Sequence, residues 1–523
     1  MAQWLGLALC VTTIVCAAMA FVMGPISGED NQQVHEEAWV SGLYLTMAEK
    51  LTDRDRDGFS PLFGHGDCND NDAASWPGSP DGDDCLPDVP MEAAEQFAKR
   101  LRLNSTPVAK AVTVSTEAQK KPKSTDGKAN SKSVPEKKTR RPNILLITAD
   151  TLRSDHVGFG GYKRNTTPNL DALAEKSVVY ERAYAPSNMT PSSVPAMLSG
   201  LYPTELWRDD SHFIRFEDRN TFVAELLSQG GYETRAVVTH WYFEKRKRSG
   251  LDQGFATWKV VGTKWGKRME DVSTSELVSK EALSQIASLP TDKPWFLWLH
   301  FLDPHKWYIF HPGFDVRFGN RSKDRYDHEI AFTDHHIGIV LKALGQSAHK
   351  DNTAVIFTSD HGEAFGEHKT AFHGFSIYED QLRVPLILSV PGRDKAERIS
   401  ARRSLIDLTP TLLDLADISS TQRLRGQSWL SDLDNRAPQE RIIYSERPKG
   451  PHSAGMRALI DGEWKIIWRG RGNRYELYNI DTDPKEQRDR FKDSPLVAKR
   501  MVAAMATMQR LGLDNQGKVS SRR

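Results

Sequence analysis

Residues 143–156 read NILLITADTLRSDH. The apolar run that opens this stretch has no polar alternation before Thr148, which is typical of a strand buried on both faces of a sheet. Similar runs recur, separated by amphipathic segments, at 236–239, 295–300, 354–358 and 384–389. This order of strands and helices predicts an α/β fold with a mostly parallel sheet sandwiched by helices.

Acidic and imidazole side chains follow two of these predicted strands. Asp150 comes just after the first strand, and Asp360 and His361 follow the run at 354–358. A single Asp at such a position is often only a helix cap. Ligands of parallel sheets bind at the carboxyl ends of the strands, however, and carboxylate and imidazole groups suit a divalent cation. The three residues are therefore candidate metal ligands.

Residues 188–200, NMTPSSVPAMLSG, predict a short helix with Thr190 as N-cap, Pro191 at the first helical position and Gly200 at the end. One interpretation is a helix cap and nothing more. In the other, the Thr190 hydroxyl faces the free N–H groups and the positive end of the helix dipole. A nearby cation would lower the pKa of this hydroxyl and make it a nucleophile.

Together these motifs make the region from 142 to about 489 resemble the sulfatase family of the alkaline phosphatase superfamily. The other segments that carry the resemblance are TPNLD at 167–171, PWFLWLHFLDPH at 294–305, SDHGE at 359–363 with the loop after it, and ELYN at 476–479. The resemblance implies a catalytic domain at 142–440 with the α/β fold of alkaline phosphatase, and a small C-terminal subdomain at 441–523.

The resemblance also assigns roles to single residues, in three groups. These are the cation ligands Asp150, Thr190, Asp360 and His361; the catalytic residues Thr190, His305 and His373; and the substrate-binding candidates Arg153 and Lys465. For the last two residues, an exposed position or a salt bridge is the alternative.

The sequence departs from the family pattern at the nucleophile. Sulfatases typically carry a Cys or Ser that is matured to formylglycine, whereas Thr190 stands at this position and Val194 replaces the arginine of the motif. No formylglycine is therefore expected, and the pattern is more similar to threonine-type transferases of phosphoethanolamine and phosphoglycerol. Thr151 also replaces a second consecutive Asp. One carboxylate fewer favours manganese, zinc or magnesium over calcium.

The expected activity is the metal-dependent hydrolysis of sulfuric or phosphoric esters on a glycan or lipid, with phosphoesters preferred because of Thr190. Two alternatives are transfer of a phosphoethanolamine or phosphoglycerol group to lipids or glycans, and a non-catalytic protein that only binds anions. A formal net charge of +1 over 523 residues gives no sign of nucleic acid as a partner.

The N-terminus predicts export. Residues 4–23 hold no charged side chain and are about long enough to span a bilayer as a helix. Ala18-Met19-Ala20 also resembles a signal-peptide cleavage site. We expect residues 1–25 to be an inner-membrane anchor with the enzyme facing the periplasm, or a signal peptide of a periplasmic or cell-surface protein. Residues 105–141, rich in Lys, Ser, Thr and Pro, predict a disordered linker.

An exported segment at 26–104 contains an acidic motif at 51–90. Its alternating carboxylates and turn glycine resemble calcium loops, but Gly64 stands where an EF-hand requires Glu. The motif is more similar to the metal-binding repeat of bacterial surface proteins. The implied calcium ligands are Asp53, Asp55, Asp57, Asp67, Asp70 and Asp72. A disulfide between Cys68 and Cys85 would staple this segment in an oxidising compartment. An acidic solvated loop is the alternative.

Overall fold

The computed structural model describes residues 141–513, except 245–248, 263–272, 434–436, 452, 471 and 473. All of these residues lie in the second of the two units into which the chain divides, Pro87–Arg523. The predicted anchor, the acidic motif with its calcium ligands, the Cys68–Cys85 pair and the linker up to residue 140 therefore lie outside the described residues. Within the described ranges, none of the helices is both long and apolar enough to cross a bilayer.

The described chain alternates strands and helices. The strands are β1 (Asn143–Ala149), β2 (Val178–Tyr180), β3 (Ala183–Tyr184), β4 (Glu233–Thr239), β5 (Thr257–Val261), β6 (Trp295–Phe301), β7 (Thr353–Ser359), β8 (Ala364–Phe365), β9 (Ala371–Phe372), β10 (Arg383–Val384), β11 (Leu386–Ser389), β12 (Glu397–Ile399), β13 (Arg403–Ser404), β14 (Ile443–Arg447), β15 (Met456–Asp461), β16 (Trp464–Arg469) and β17 (Arg474–Asn479). The α-helices are α1 (Pro168–Ala174), α2 (Thr190–Ser199), α3 (Val223–Gln229), α4 (Ser275–Ala287), α5 (Ser322–Gln346), α6 (Glu379–Leu382), α7 (Leu408–Leu415), α8 (Leu430–Leu433) and α9 (Pro495–Leu513).

An eight-stranded sheet forms the centre, in the order β12-β2-β11-β7-β1-β6-β4-β5. Strand β1 pairs in parallel with both β6 and β7, and β4 pairs in parallel with β5 and β6. In this sheet only β11 runs antiparallel to its neighbours. The predicted mostly parallel sheet is confirmed. The carboxyl ends of β1, β6 and β7 consequently meet at one edge, where ligands of such sheets bind.

The uninterrupted apolar run of β1 follows from burial on both faces. Ile144 and Leu146 contribute to a hydrophobic core shared with side chains of α2, α3 and α7. Leu145 and Ile147 point to the opposite face, into a second core with side chains of α1, α4 and α5. Because successive side chains of a strand alternate between faces, a strand covered on both sides favours apolar residues at both sets of positions.

A small antiparallel sheet of β14, β15, β16 and β17 forms the C-terminal part of the described chain. Helix α9 packs against β15 and β16. The hydrophobic core of this small sheet includes Ile443 and Ile467, and Tyr184 and Leu382 of the preceding region pack into it. The expected small C-terminal subdomain is confirmed, and its first strand begins at Ile443.

Candidate active site

The three predicted strand-end ligands come together at the carboxyl edge of the large sheet. Asp150 follows β1, and its backbone N–H donates to the Phe301 carbonyl of β6 at 2.8 Å. His361 Nε2 lies 3.6 Å from the Asp150 carboxylate and 3.5 Å from that of Asp360. All three side chains are buried. The parallel pairing of β1 with β7 therefore creates the cluster that the sequence predicts.

Thr190 joins this cluster as the first residue of α2. Its Oγ lies 3.3 Å from Asp150 Oδ2 and 3.2 Å from His361 Nε2. One turn later, the Ser193 hydroxyl donates to the Asp360 carbonyl at 2.6 Å and ties the start of the helix to the loop after β7. The helix ends at Gly200, whose φ of 69° terminates it as predicted. Thr190 is partly exposed, unlike the three buried ligands.

His300 is a fifth member of the cluster, and the sequence analysis did not single it out as a ligand. It lies near the end of β6, where its Nδ1 is 2.8 Å from the Thr148 hydroxyl. The other ring nitrogen, Nε2, points to the Asp150 carboxylate at 3.6 Å. His300, Asp150 and Asp360 each offer a ligand atom, and these three atoms lie within 4.8 Å of one another.

The donor set fits a divalent cation. Within the described part of the chain, Asp150 Oδ1, Asp360 Oδ2 and His300 Nε2 are buried without a hydrogen-bond partner. Buried polar atoms are seldom left in this state, because each costs the free energy of its lost hydration. Three such atoms that face one another are explained by a cation that binds them together. Mixed carboxylate and imidazole ligands suit manganese or zinc.

The charges of the cluster also favour a bound cation. Burial alone would raise the pKa of Asp150, but the neighbouring His300, His305 and His361 hold it below its ordinary value. For Asp360, burial and the charge of Asp150 raise the pKa. Two buried carboxylates side by side repel each other, so full ionisation of both requires a compensating positive charge.

His305 and His373 face each other beside the cluster. Their ring centroids are 4.8 Å apart, and the His373 ring is 4.6 Å from that of His361. His373 Nδ1 lies 3.2 Å from the buried Glu363 carboxylate, which orients the ring. Burial, followed by the charges of His361 and His305, holds the pKa of His373 well below its ordinary value. The structure thus brings both predicted histidines next to the ligands.

His240 is a further residue that the sequence analysis missed. It follows β4, its ring centroid lies 6.4 Å from that of His305, and its Nδ1 accepts from Tyr242 N at 3.2 Å. Its backbone has a φ of 100°, a strained conformation for a residue with a side chain. Burial and the neighbouring His305 lower its pKa to about 3. The position of His240, a polar residue directly after an apolar strand, is the sequence signal that could have identified it as a site residue.

Comparison with models of protein families identifies the family of this chain. The family model described as Sulfatase matches residues 142–418, more than half of the sequence. The chain belongs to the sulfatase family. A second model, described as N-sulphoglucosamine sulphohydrolase, C-terminal, matches residues 366–510 and so includes the small C-terminal sheet. The family resemblance read from the motifs is confirmed.

Individual sulfatases support this assignment. Arylsulfatase K of Mus musculus is 34% identical in an alignment of 421 residues that covers 66% of this chain and 75% of the relative. An arylsulfatase of Clostridium perfringens is 25% identical over 66% of this chain and 89% of its own length. An ulvan-active sulfatase of Formosa agariphila is 28% identical over 59% of this chain and 68% of its own. This sulfatase is accordingly an enzyme, a sulfuric ester hydrolase.

Solved structures confirm the fold. Ps i-CgsB in complex with k-i-k-neocarrahexaose aligns with a TM-score of 0.60 at 22% identity, over 72% of this chain and 94% of that one. BT1596, a 2-O GAG sulfatase, aligns with a TM-score of 0.61 at 20% identity over the same shares. At these identities the likeness shows the architecture alone.

Arg153 of this sulfatase links two loops beside the cluster through ion pairs and a hydrogen bond. Its guanidinium pairs with Asp155 at 2.8 Å and with Glu367 at 3.2 Å, and it donates to the Glu363 carbonyl at 2.9 Å. It therefore connects the loop after β1 to the loop after β7. Of the two interpretations offered by the sequence, the structure displays the salt bridge, and contact with substrate stays a prediction.

Lys465 lies on β16 in the C-terminal sheet. Its ammonium group is fully buried and pairs with Glu379 at 3.0 Å and Glu486 at 2.8 Å. Glu379 begins α6, and its other oxygen accepts from the Tyr184 hydroxyl at 3.1 Å. Here too the structure displays a salt bridge, and a role in substrate binding stays a prediction.

A second group of possible metal ligands consists of Asp303, His311 and Glu329. The Asp303 carboxylate already accepts from the backbone N–H groups of Thr274 and Ser275, where α4 begins. His311 Nε2 lies 2.5 Å from Glu329 Oε2. These contacts are those of a helix cap and a buried histidine–carboxylate pair, so we assign the group a structural role.

Proposed function

We propose that this sulfatase hydrolyses sulfate esters of glycans outside the cytoplasm, with Thr190 as the nucleophile and one divalent cation in the buried cluster. The observation that carries the proposal is the position of the Thr190 hydroxyl. It lies within 3.3 Å of Asp150 and 3.2 Å of His361, next to buried ligand atoms that lack hydrogen-bond partners.

The residues that would hold the cation are Asp150, His300, Asp360 and His361, with the Thr190 hydroxyl beside them. When bound, a divalent cation supplies positive charge that lowers the pKa of a neighbouring hydroxyl and polarises an ester oxygen. Manganese, zinc or magnesium suits the set better than calcium, because calcium takes six to eight oxygen ligands.

The proposed reaction has two steps. Thr190 Oγ attacks the sulfur, its bond to sulfur forms, and the bond from sulfur to the ester oxygen of the sugar breaks. The hydroxyl proton passes to His305 or His373, which delivers it to the leaving alkoxide. Water then attacks the sulfur of the sulfated Thr190 and releases hydrogen sulfate with the threonine restored. Overall, ester and water become alcohol and hydrogen sulfate, and no further reactant is needed.

Two kinds of observation support the substrate class and the compartment. Among similar proteins, one is named for ulvan and one structure holds neocarrahexaose, both of which are carbohydrates. The uncharged segment at 4–23 and the pair of Cys68 and Cys85 in an acidic segment favour export. Sulfated glycans exist outside cells, which agrees with an exported enzyme.

Hydrolysis or transfer of phosphate esters is the second candidate. It is favoured by the hydroxyl of Thr190, which stands where sulfatases carry the precursor of formylglycine. A third outcome, anion binding without catalysis, would leave the same cluster but no turnover.

The test is sulfate or phosphate release by the full chain after addition of manganese, zinc or magnesium. The substrates are a sulfated galactan oligosaccharide, p-nitrophenyl sulfate, and a phosphate monoester and diester. We expect sulfate release that disappears in Thr190→Ala and persists in Thr482→Ala, a change of an exposed threonine in a C-terminal turn. Accurate mass of Thr190 after quenching should show a sulfate adduct. A phosphate adduct, or phosphate release alone, would support the second candidate instead, and absence of any turnover would refute both.

A further inference from the structure

An aromatic pair lies next to the pair of catalytic histidines. His305 and His373 face each other at 4.8 Å, and Trp307 and Phe372, which neighbour them in sequence, meet at 5.7 Å between ring centroids. The two aromatic rings are inclined at 72° and form a corner. The loop after β6 and the hairpin of β8 and β9 therefore approach each other twice, first through imidazoles and then through aromatic rings.

This corner is open to solvent. Trp307 is 37% exposed, and Phe375, two residues after His373, is 59% exposed. Exposed large hydrophobic side chains are few in the described chain, and the others are Leu283, Val316 and Leu496. An exposed aromatic side chain beside the candidate catalytic histidines is a candidate ligand contact, because a ligand that covers it removes apolar surface from water.

Lys306 adds a positive charge to the corner. Its ammonium lies 4.4 Å from the Phe372 ring centroid. The same charge acts on Glu363 and on His373, so it lies close to the catalytic histidines. A cation over an aromatic ring favours ligands that combine an apolar face with anionic groups.

We propose that Trp307 and Phe372 form the subsite for the sugar ring that carries the scissile ester, and that Lys306 selects glycans with further anionic groups. The proposal rests on the glycan sulfatase function proposed above. A pyranose presents a face of C–H groups that packs on an aromatic ring, while its ester projects from the ring edge. With the sugar on Trp307, the ester reaches the histidines that neighbour both aromatic residues in the chain.

The test compares a substrate with a sugar ring to one without. For a sulfated galactan disaccharide and for ethyl sulfate, kcat/KM is measured for wild type, Trp307→Ala and Trp307→Phe. We expect the ratio of the two values to fall about tenfold in Trp307→Ala, mainly through KM of the disaccharide, and to recover in Trp307→Phe. Leu283→Ala, a change at a side chain of equal exposure on α4, serves as control and should leave the ratio unchanged.

A ratio that stays constant in Trp307→Ala would overturn the subsite. For Lys306→Ala we expect a loss that grows with the number of sulfates on the disaccharide and shrinks at high salt. Equal losses for singly and doubly sulfated sugars would overturn the role of Lys306.

Failure of the proposed function is seen separately, as absence of sulfate release by wild type. Calorimetric binding of the disaccharide to Thr190→Ala, with and without Trp307→Ala, then tests the subsite alone: a weaker affinity supports it, and an equal affinity refutes it.

Discussion

His300 Nε2 lies 3.6 Å from the Asp150 carboxylate across two neighbouring parallel strands. Its other nitrogen is fixed by the Thr148 hydroxyl, so the ring has one orientation and one nitrogen left for a ligand. Histidine rings that bind metals are usually oriented in this way by a hydrogen bond from the second nitrogen. Thr148, which precedes Asp150 by two residues, thus orients the imidazole beside the Asp150 carboxylate.

We predict that His300→Ala weakens binding of manganese or zinc by about tenfold or more, because one of the proposed cation ligands is removed. Calorimetric titration of the metal-depleted protein measures the affinity. His335→Ala, at an exposed histidine of α5, is the control. Equal metal affinities of wild type and His300→Ala would contradict a ligand role for His300.

We predict that Thr190→Ser retains a substantial part of kcat and that Thr190→Val lowers it by about a thousandfold or more, since valine keeps the volume but removes the nucleophilic oxygen. Steady-state kinetics on p-nitrophenyl sulfate measures both. A Thr190→Val enzyme with kcat near that of wild type would require water as the direct nucleophile.

We predict that Lys465→Met lowers the free energy of unfolding by about 3–5 kcal/mol, because the buried Glu486 and the largely buried Glu379 both lose their cationic partner. Urea denaturation measures the change. Lys485→Met removes an exposed lysine beside Glu486 and should have little effect. If Lys465→Met instead keeps the stability and raises KM, then Lys465 binds substrate as the sequence suggested.

Asp334 predicts a pH dependence of stability. Its carboxylate accepts the backbone N–H groups of Asn169 and Leu170 at the start of α1, and burial raises its pKa from 3.8 to about 6. A raised pKa means that the folded protein prefers the protonated acid. The stabilisation from this proton is complete below pH 3.8 and is lost as the pH rises through about 6.

Asp334→Asn carries a neutral side chain at every pH. We therefore expect the stability of this variant, relative to wild type, to increase between pH 4 and pH 7 by at most about 3 kcal/mol. Urea denaturation at several pH values measures the difference. Parallel curves for the two proteins would show that Asp334 keeps an ordinary pKa in the fold.

The sequence predicted three of the site residues that stand directly after a strand, but it missed His240, which follows β4. Asp150, Asp360 and His361 end apolar runs, and parallel strands must deliver such residues to one edge. His300 was not predicted as a ligand because it lies inside the apolar run WFLWLHF of β6, where a lone histidine is interpreted as a core residue. The expected strand at 384–389 is two strands, β10 and β11, because Pro385 has no N–H to continue a ladder.

Contacts between distant segments were beyond sequence reasoning. Nothing in the order of residues pairs Lys465 with Glu379, which precedes it by 86 positions. The corner of Trp307 and Phe372 likewise joins two loops whose approach is set by β6 and β7 lying on either side of β1. Such contacts depend on how the packed sheet and helices position the loops. Local sequence patterns do not predict that position.

The ion pairs of Lys465 also have a consequence for the order of events during synthesis. The loop with His373 and α6 leaves the ribosome long before β16 and Glu486 do, so Glu379 emerges without its partner lysine. Domains generally assemble as their segments emerge, the N-terminal ones first. In this sulfatase, the segment with His373 and Glu379 can therefore make its ion pairs with the C-terminal sheet only after that sheet has been translated.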